Sequence, residues 1–411
     1  MHLRLLALTA VLPISHACDR GAAPADPAVD APLTATTEDI YTVGASAGEE
    51  WETFGGVGAV AFNAAGELSI FDGQSHRVVV VDADGGHLRT FGGQGEGPGE
   101  WQWPFGFTVL RDRRTVVFDM GRPGTFEIYD AVGAFERGVT VDVMQGAPGR
   151  LLLPLPDGRL VSTGGPRFSF PSSDEEPDYR RDIHVFSLAG DDTRVLYRAW
   201  DLPPTDVEVT VENEQGRQEM TINRLRAFEP GLHLAVHADG RLAVADSTTY
   251  EVKLIDTDGN VTGTFGRPIA PLVVTEEIKE ATRALRIEEY SYSSGLGFMG
   301  QQMSSAEAAQ FRETFMKQVE TMVFADEIPV LAGMAVDPEG RFWITRSPTE
   351  IGGDALTDIL TADGDYLGTL PGGGLAIPDA FGPDGLMAYI EADEVGVQRV
   401  RVTRLVALER Q

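Results

Sequence analysis

From Val57 onward the chain is a succession of short apolar runs separated by turn residues. Gly58-Ala59-Val60-Ala61-Phe62 leads to a turn at Ala64-Ala65-Gly66. Leu68-Ser69-Ile70-Phe71-Asp72 follows, then a loop through Gln74-Ser75 and the run His76-Arg77-Val78-Val79-Val80-Val81-Asp82. A second turn, Ala83-Asp84-Gly85, opens into Leu88-Arg89-Thr90-Phe91-Gly92. Each run has strand length, is rich in β-branched or aromatic residues, and is bounded by Gly or Asp-Gly turns, which predicts four antiparallel strands.

The unit repeats. Its first turn returns near Arg113-Arg114 and at Asp157-Gly158, Asp239-Gly240, Glu339-Gly340 and Asp384-Gly385. Undisturbed intervals are about 45 residues, the size of a four-stranded blade. Counting Gly66, six turns predict an all-β, six-bladed β-propeller spanning residues 39–411. After Gly385 only about two strands fit before the chain ends, so the last blade needs a strand from elsewhere. Ile40-Tyr41-Thr42-Val43-Gly44 is the candidate: Gly48-Glu49-Glu50-Trp51, which follows it, echoes Pro98-Gly99-Glu100-Trp101, which follows the outer strand of the first full blade. The stretch from Gly66 to Trp101, with Asp72, Arg77, Phe91-Gly92 and Gly95-Glu96-Gly97-Pro98-Gly99, resembles NHL-type six-bladed propellers. That resemblance implies the fold and leaves activity open, because such rings host binders and enzymes alike.

Two intervals, before Asp239 and before Glu339, are longer than the period and contain insertions, and the second of these has a readable pattern. Thr275-Glu276-Glu277-Ile278 starts a helical pattern with Ile278, Ala281 and Leu285 on one side. Ser304 followed by Glu307 has capping-box spacing, and Phe311, Phe315, Val319 and Met322 repeat at helical intervals. A helical insertion is therefore expected near 275–325. It is either a hairpin packed on the ring or a cover over a pocket.

The first residues are of another kind. A weakly basic start, an apolar run from Leu5 to Ile14 and then Ser15-His16-Ala17-Cys18 read as a signal peptide over 1–18. The small residue before a lone cysteine resembles a bacterial lipoprotein cleavage site, with Ser15 where such families usually carry Leu. Cys18 is the expected lipidation site, and a membrane-anchored envelope lipoprotein the expected location. The alternative is an ordinary signal peptide cut near Ala17, leaving a soluble periplasmic or secreted protein. Residues 19–38, rich in Ala, Pro, Asp and Thr, read as a disordered tether.

The formal net charge of −30 repels phosphate backbones, which argues against a nucleic-acid partner. Cys18 is the one cysteine, so stability rests on packing rather than on internal disulfides. No metal-ligand, phosphate-loop, EF-hand or nucleophile-elbow spacing is present, so no cofactor and no metal are expected, and no catalytic residue can be named. His233 and His237 read as core or turn residues.

Strand direction selects a face. Loops after second and fourth strands open together, and these are the long ones, whereas the opposite face carries short Asp-Gly turns. The expected ligand-binding face comprises Asp72, His76, Arg77, Trp101, Trp103, Asp119, Arg122, Arg167, Asp246, Tyr250 and Arg346. Plainer readings exist: turn carboxylates for the aspartates, a salt bridge to a neighbouring blade for Arg77, and loop packing for the two tryptophans. Two functions fit. One is a monomeric envelope binding module for a protein or glycan. The other is an exported hydrolase or lyase acting on a sugar or peptide under the helical cover. The address is directly testable. Each buried methylene of an acyl chain contributes about 0.8 kcal/mol to membrane affinity. Cys18→Ala is therefore expected to move the protein from the membrane fraction to the soluble exported fraction. Unchanged fractionation would refute lipidation.

Overall fold

The computed structural model describes residues 24–121, 124–143, 146–164, 181–190, 193–200, 205–213, 216–293, 305–393 and 396–410. Six antiparallel four-stranded sheets account for most of them. Blade 1 is Val57–Phe62, Leu68–Asp72, Arg77–Val81 and His87–Gly92. Blade 2 is Pro104–Val109, Thr115–Asp119, Thr125–Tyr129 and Phe135–Thr140. Blade 3 is Leu153–Pro154, Leu160–Thr163, Arg181–Phe186 and Thr193–Ala199. Blade 4 is His233–Val236, Leu242–Ala245, Glu251–Ile255 and Val261–Gly266. Blade 5 is Leu331–Val336, Phe342–Arg346, Thr357–Leu360 and Tyr366–Leu370. Blade 6 runs outward from Ala380–Phe381 through Leu386–Ala392 and Gln398–Arg410 to Leu33–Val43.

The apolar residues show why these sheets form a ring. Buried side chains fall into six clusters, and each cluster joins two consecutive blades. Phe71, Val78 and Val80 of blade 1, for example, pack on Phe107, Val117 and Tyr129 of blade 2. The circuit closes where Leu68, Ile70 and Val79 meet Leu386, Ala388 and Val402 of blade 6. The fold is a six-bladed β-propeller.

The repeated turns have a common backbone cause. The turn after each first strand holds a left-handed residue: Gly66, Arg113, Gly158, Gly240, Gly340 and, in blade 6, Asp384 followed by Gly385. Gly85, Gly133, Gly190, Gly259 and Gly364 play the same part after the third strands of blades 1 to 5. Glycine reaches positive φ without a Cβ penalty, so its spacing marks the hairpins. Arg113, at φ 70, takes the glycine's place in blade 2, the point where the repeat is hardest to see.

The closing strand is longer than expected. Leu33–Val43 pairs antiparallel with Gln398–Arg410 from Leu33↔Arg410 to Val43↔Val400. Residues 33–38, read from composition as part of a tether, are therefore strand. Their threonines suit a β-edge, and Leu33 is buried with Trp343, Ile359 and Leu370. The preceding residues also dock, on blade 5. Ala25 N–H donates to the Tyr366 carbonyl at 2.7 Å, and Thr369 N–H to the Ala31 carbonyl at 2.8 Å. Asp30 bridges Arg267 and Arg346, each at 2.8 Å.

Between blades 3 and 4 lies a β-hairpin, Asp206–Asn213 with Gly216–Asn223, which sequence reading left as an unassigned insertion. Between blades 4 and 5 lie helix α1, Glu276–Ser293, and helix α2, Ser305–Glu320, at the place expected for the helical insertion. Thr275 caps α1 by accepting from Ile278 N–H at 3.3 Å. The expected cap at Ser304 lies outside the described residues.

Among the described residues Arg267 is the most deeply buried ion-paired cation, its side chain 1% exposed against Asp358 at 0% and 2.9 Å away. Its guanidinium also lies 3.8 Å from the centre of the Tyr366 ring. Removing one member of a buried pair strands the other, at a cost of about 3–5 kcal/mol. Arg267→Ala is thus expected to lose stability of that order in urea unfolding. Adding Asp358→Asn should recover part of the loss; no recovery would show that the guanidinium acts through packing alone.

Candidate functional site

Two cavities open on the face predicted from strand direction. The larger, about 820 Å³, lies between blades 3, 4 and 5. Its wall comes from Trp200 after the outer strand of blade 3, Arg226–Gly231 before the inner strand of blade 4, and Ser347–Gly352 after the second strand of blade 5. Helix α1 forms the remaining wall with Thr282, Leu285, Arg286 and Glu289, which share one helical stripe. The smaller cavity, about 480 Å³, lies at the channel mouth beside blades 1 and 2 and includes His76 and Trp103.

Most of the side chains expected on this face serve the fold. Asp72 is fully buried and accepts from the Gly55 and Gly56 amides at 3.1 and 2.8 Å. It also pairs with Arg77 at 3.1 Å, within its own blade. Arg77 goes on to donate to the Glu50 and Thr53 carbonyls at 2.9 and 2.6 Å. Asp119, also buried, grips the Gln102 and Trp103 amides at 3.1 and 2.7 Å. Trp101 is fully buried, its indole N–H donating to the Tyr129 hydroxyl at 2.7 Å. Asp246 pairs with Lys253 at 2.7 Å and accepts from the Tyr197 hydroxyl at 3.2 Å. Tyr250 is buried between blades 4 and 5, and that burial, beside Asp358, drives its hydroxyl well above the usual range. Arg346 is engaged with Asp30. Arg122 and Arg167 lie outside the described residues. Of the expected set, His76 and Trp103 line a cavity.

The larger cavity is built around a segment, Arg226 to His233, of which sequence reading singled out only His233, as a core or turn residue. Phe228 stands at φ 65, a left-handed conformation that is an outlier for an aromatic residue. Strain of this kind gathers at ligand sites. Glu229 is paired with Arg226 at 3.2 Å. Burial nevertheless raises its carboxyl above the ordinary range, with Arg226 and Arg181 only partly offsetting it. His233 is pushed the other way, chiefly by burial and further by Arg181, against a hydrogen bond to the Leu331 backbone. It is therefore neutral at neutral pH. Its ring lies over Gly231, where a Cβ would come within 2.6 Å of Nε2. Arg181 donates to the Trp200 and Pro230 carbonyls at 2.6 and 2.9 Å and lies 5.8 Å from the centre of the Trp200 ring. The site thus offers guanidinium groups, an indole that is 45% exposed, a carboxyl that burial holds above its ordinary range and a neutral imidazole. Among the described residues, no group of three or more His, Cys, Asp or Glu is placed to hold a metal ion. None of their helices is long and apolar enough to cross a membrane.

No protein-family model matches the chain, and no curated protein matches it in sequence. Solved structures match it over most of its length. One is a member of the DUF4221 family from Bacteroides vulgatus, at 9% identity and TM-score 0.50, over 92% of this chain and 99% of that one. Another, from Bacteroides fragilis, is described as exported; it has 10% identity and TM-score 0.49, over 94% and 97% of the two chains. A gluconolactonase from Xanthomonas campestris has 16% identity and TM-score 0.34, over 94% and 99%. At such identities the likeness concerns the fold alone.

The raised Glu229 carboxyl gives the larger cavity a pH dependence of definite sign. As pH falls through its folded-state pKa, Glu229 loses its negative charge and Arg226 loses that ion pair, while Arg286 stays paired with Glu289 at 2.8 Å. Affinity for an anionic probe such as tri-galacturonate, measured by calorimetry from pH 7 down to 5, is expected to rise. Glu229→Gln should bind more tightly at pH 7 and flatten the profile; a parallel, unflattened profile would exclude Glu229 as the titrating group.

Proposed function

We propose that this protein is an exported, lipid-tethered propeller of the NHL type that binds a glycan or protein ligand of the cell envelope on its loop-rich face. Its cavity beside α1 takes an acidic group of that ligand. The observation that carries this reading is the set of guanidinium groups in the cavity wall, Arg181, Arg226 and Arg286 beside Trp200 and Phe228, with Glu229, Glu289 and Glu350 on the same wall, in a chain of net charge −30. Planar guanidinium groups form bidentate, charge-assisted bonds to carboxylates, and indole faces stack on sugar rings or apolar side chains. A volume of about 820 Å³ suits a few sugar or amino-acid units rather than a large surface. The signal-peptide pattern and Cys18 support the envelope address.

One observation favours a second reading, an exported hydrolase or lyase acting on a sugar or peptide. Glu229 and His233 line the same cavity with perturbed protonation, as general acids and bases do.

Both readings are separable with tri-galacturonate and an Asp-rich hexapeptide as acidic probes and an Asn-rich hexapeptide as a neutral control. Trp200→Ala and Arg226→Ala are each expected to weaken binding of the acidic probe by about tenfold, some 1.4 kcal/mol, in calorimetry. Equal affinity of wild type and both variants would overturn the assignment of the cavity. Mass spectrometry of the incubated probes decides between the readings. Intact probes support the binding module, whereas cleavage lost in Glu229→Gln supports the enzyme.

A further inference from the structure

The smaller cavity carries an inference that stands apart from the acidic site. Trp103 is 59% exposed on its rim. Among the described residues its ring has no aromatic or cationic partner, so packing does not account for it. Its backbone, by contrast, is held on both sides. The Trp103 N–H donates to Asp119 Oδ1 at 2.7 Å, and the Trp103 carbonyl accepts from Met120 N–H at 2.9 Å. An apolar ring exposed on a fixed backbone is a preorganised stacking platform.

The surroundings are amides. Gln74, Gln102 and Gln398 line the same cavity. Gln398 is oriented by accepting from Val57 N–H at 2.6 Å. Its NH₂ group donates to no protein group among the described residues, and the Gln74 amide likewise has no protein partner there. Gln102 is turned by a 2.7 Å bond to Glu96. The loops carrying Gln74 and Trp103 are also fixed to each other. His76 sits at φ 54 with its ring nitrogens 3.2 Å from the Gln74 carbonyl oxygen and 3.3 Å from that of Gln102. Among the described residues no Asp or Glu lines this cavity, and its Arg150 lies over the Phe105 ring at 5.1 Å.

We infer that the channel mouth holds a second ligand site, for a neutral saccharide stacked on Trp103 with its hydroxyls bonded to Gln74 and Gln398. A side-chain amide presents both a donor and an acceptor, which matches the paired hydroxyls of a sugar ring. The indole face covers the ring's C–H side. A wall without carboxylates among the described residues selects against cations, and Arg150 offers an anion a single guanidinium where the cavity beside α1 has three.

The test is calorimetry and tryptophan fluorescence of the full chain with cellotriose and triacetylchitotriose. Saturable binding of one of them is expected below about 10 mM. Trp103→Ala should weaken it about tenfold and Gln74→Ala about threefold. Both side chains are surface-accessible, and unchanged melting curves will show that the variants fold. Arg226→Ala, in the other cavity, should leave this affinity unchanged. No saturable binding of either sugar would overturn the inference. So would binding that ignores both Trp103→Ala and Gln74→Ala, or that falls only with Arg226→Ala. None of these results bears on the acidic probes, whose binding at the α1 cavity is read separately.

Discussion

The whole structure depends on sharing the core between neighbours. A single blade cannot bury both faces of its sheet, and here every buried cluster is made by two consecutive blades. The sixth interface exists only if the chain ends meet. The eleven-residue strand Leu33–Val43 lies along the thirteen-residue strand Gln398–Arg410, and this pairing removes the free edge that blade 6 would otherwise present. Because the ring closes, loops from blades 3, 4 and 5 are held at fixed separations, and cavities can be assembled from segments far apart in sequence.

How much of this could be read from the chain follows from the range of the interactions. Hairpin turns are local. A glycine at positive φ every blade leaves its mark in sequence, and that pattern sufficed to count blades and to place the helical insertion. The start of the closing strand was misplaced because its evidence is distant. Thr34 to Glu38 look like a polar tether until Leu33 is seen packed on Trp343 and Asp30 between Arg267 and Arg346. The hairpin at 206–223 pairs only with itself and falls outside the blade period, so periodicity could not reveal it.

The site was legible as a face and not as residues. Strand alternation identified the surface on which both cavities open. Among the residues selected on it, the aspartates Asp72, Asp119 and Asp246 recur from blade to blade, and recurrence marks structural work. Asp72 and Asp119 tie the entry to each inner strand, and Trp101 fills the interface between blades 1 and 2. The distinctive segment was the one that departs from the repeat, Arg226-Ala227-Phe228-Glu229-Pro230-Gly231, immediately before the inner strand of blade 4. No other first-strand approach places Arg, Phe and Glu together. That departure was the available signal, and exposure, which separates Trp103 from Trp101, was not.

The electrostatics of the chain give the two cavities different tasks. A net charge of −30 opposes an anion once it comes within roughly a Debye length, about 8 Å at physiological salt. Capture of an acidic ligand therefore falls to the short-range geometry of the guanidinium groups beside α1, and raising the salt should speed its arrival while weakening the final contact. A neutral sugar meets no such barrier. Its affinity for the channel mouth depends on stacking area and amide geometry, both insensitive to ionic strength. A glycan bearing occasional acidic units could use both: neutral units seat first on Trp103, and tethering then raises the local concentration of the acidic unit near the second cavity above what free diffusion against the protein's own charge would supply.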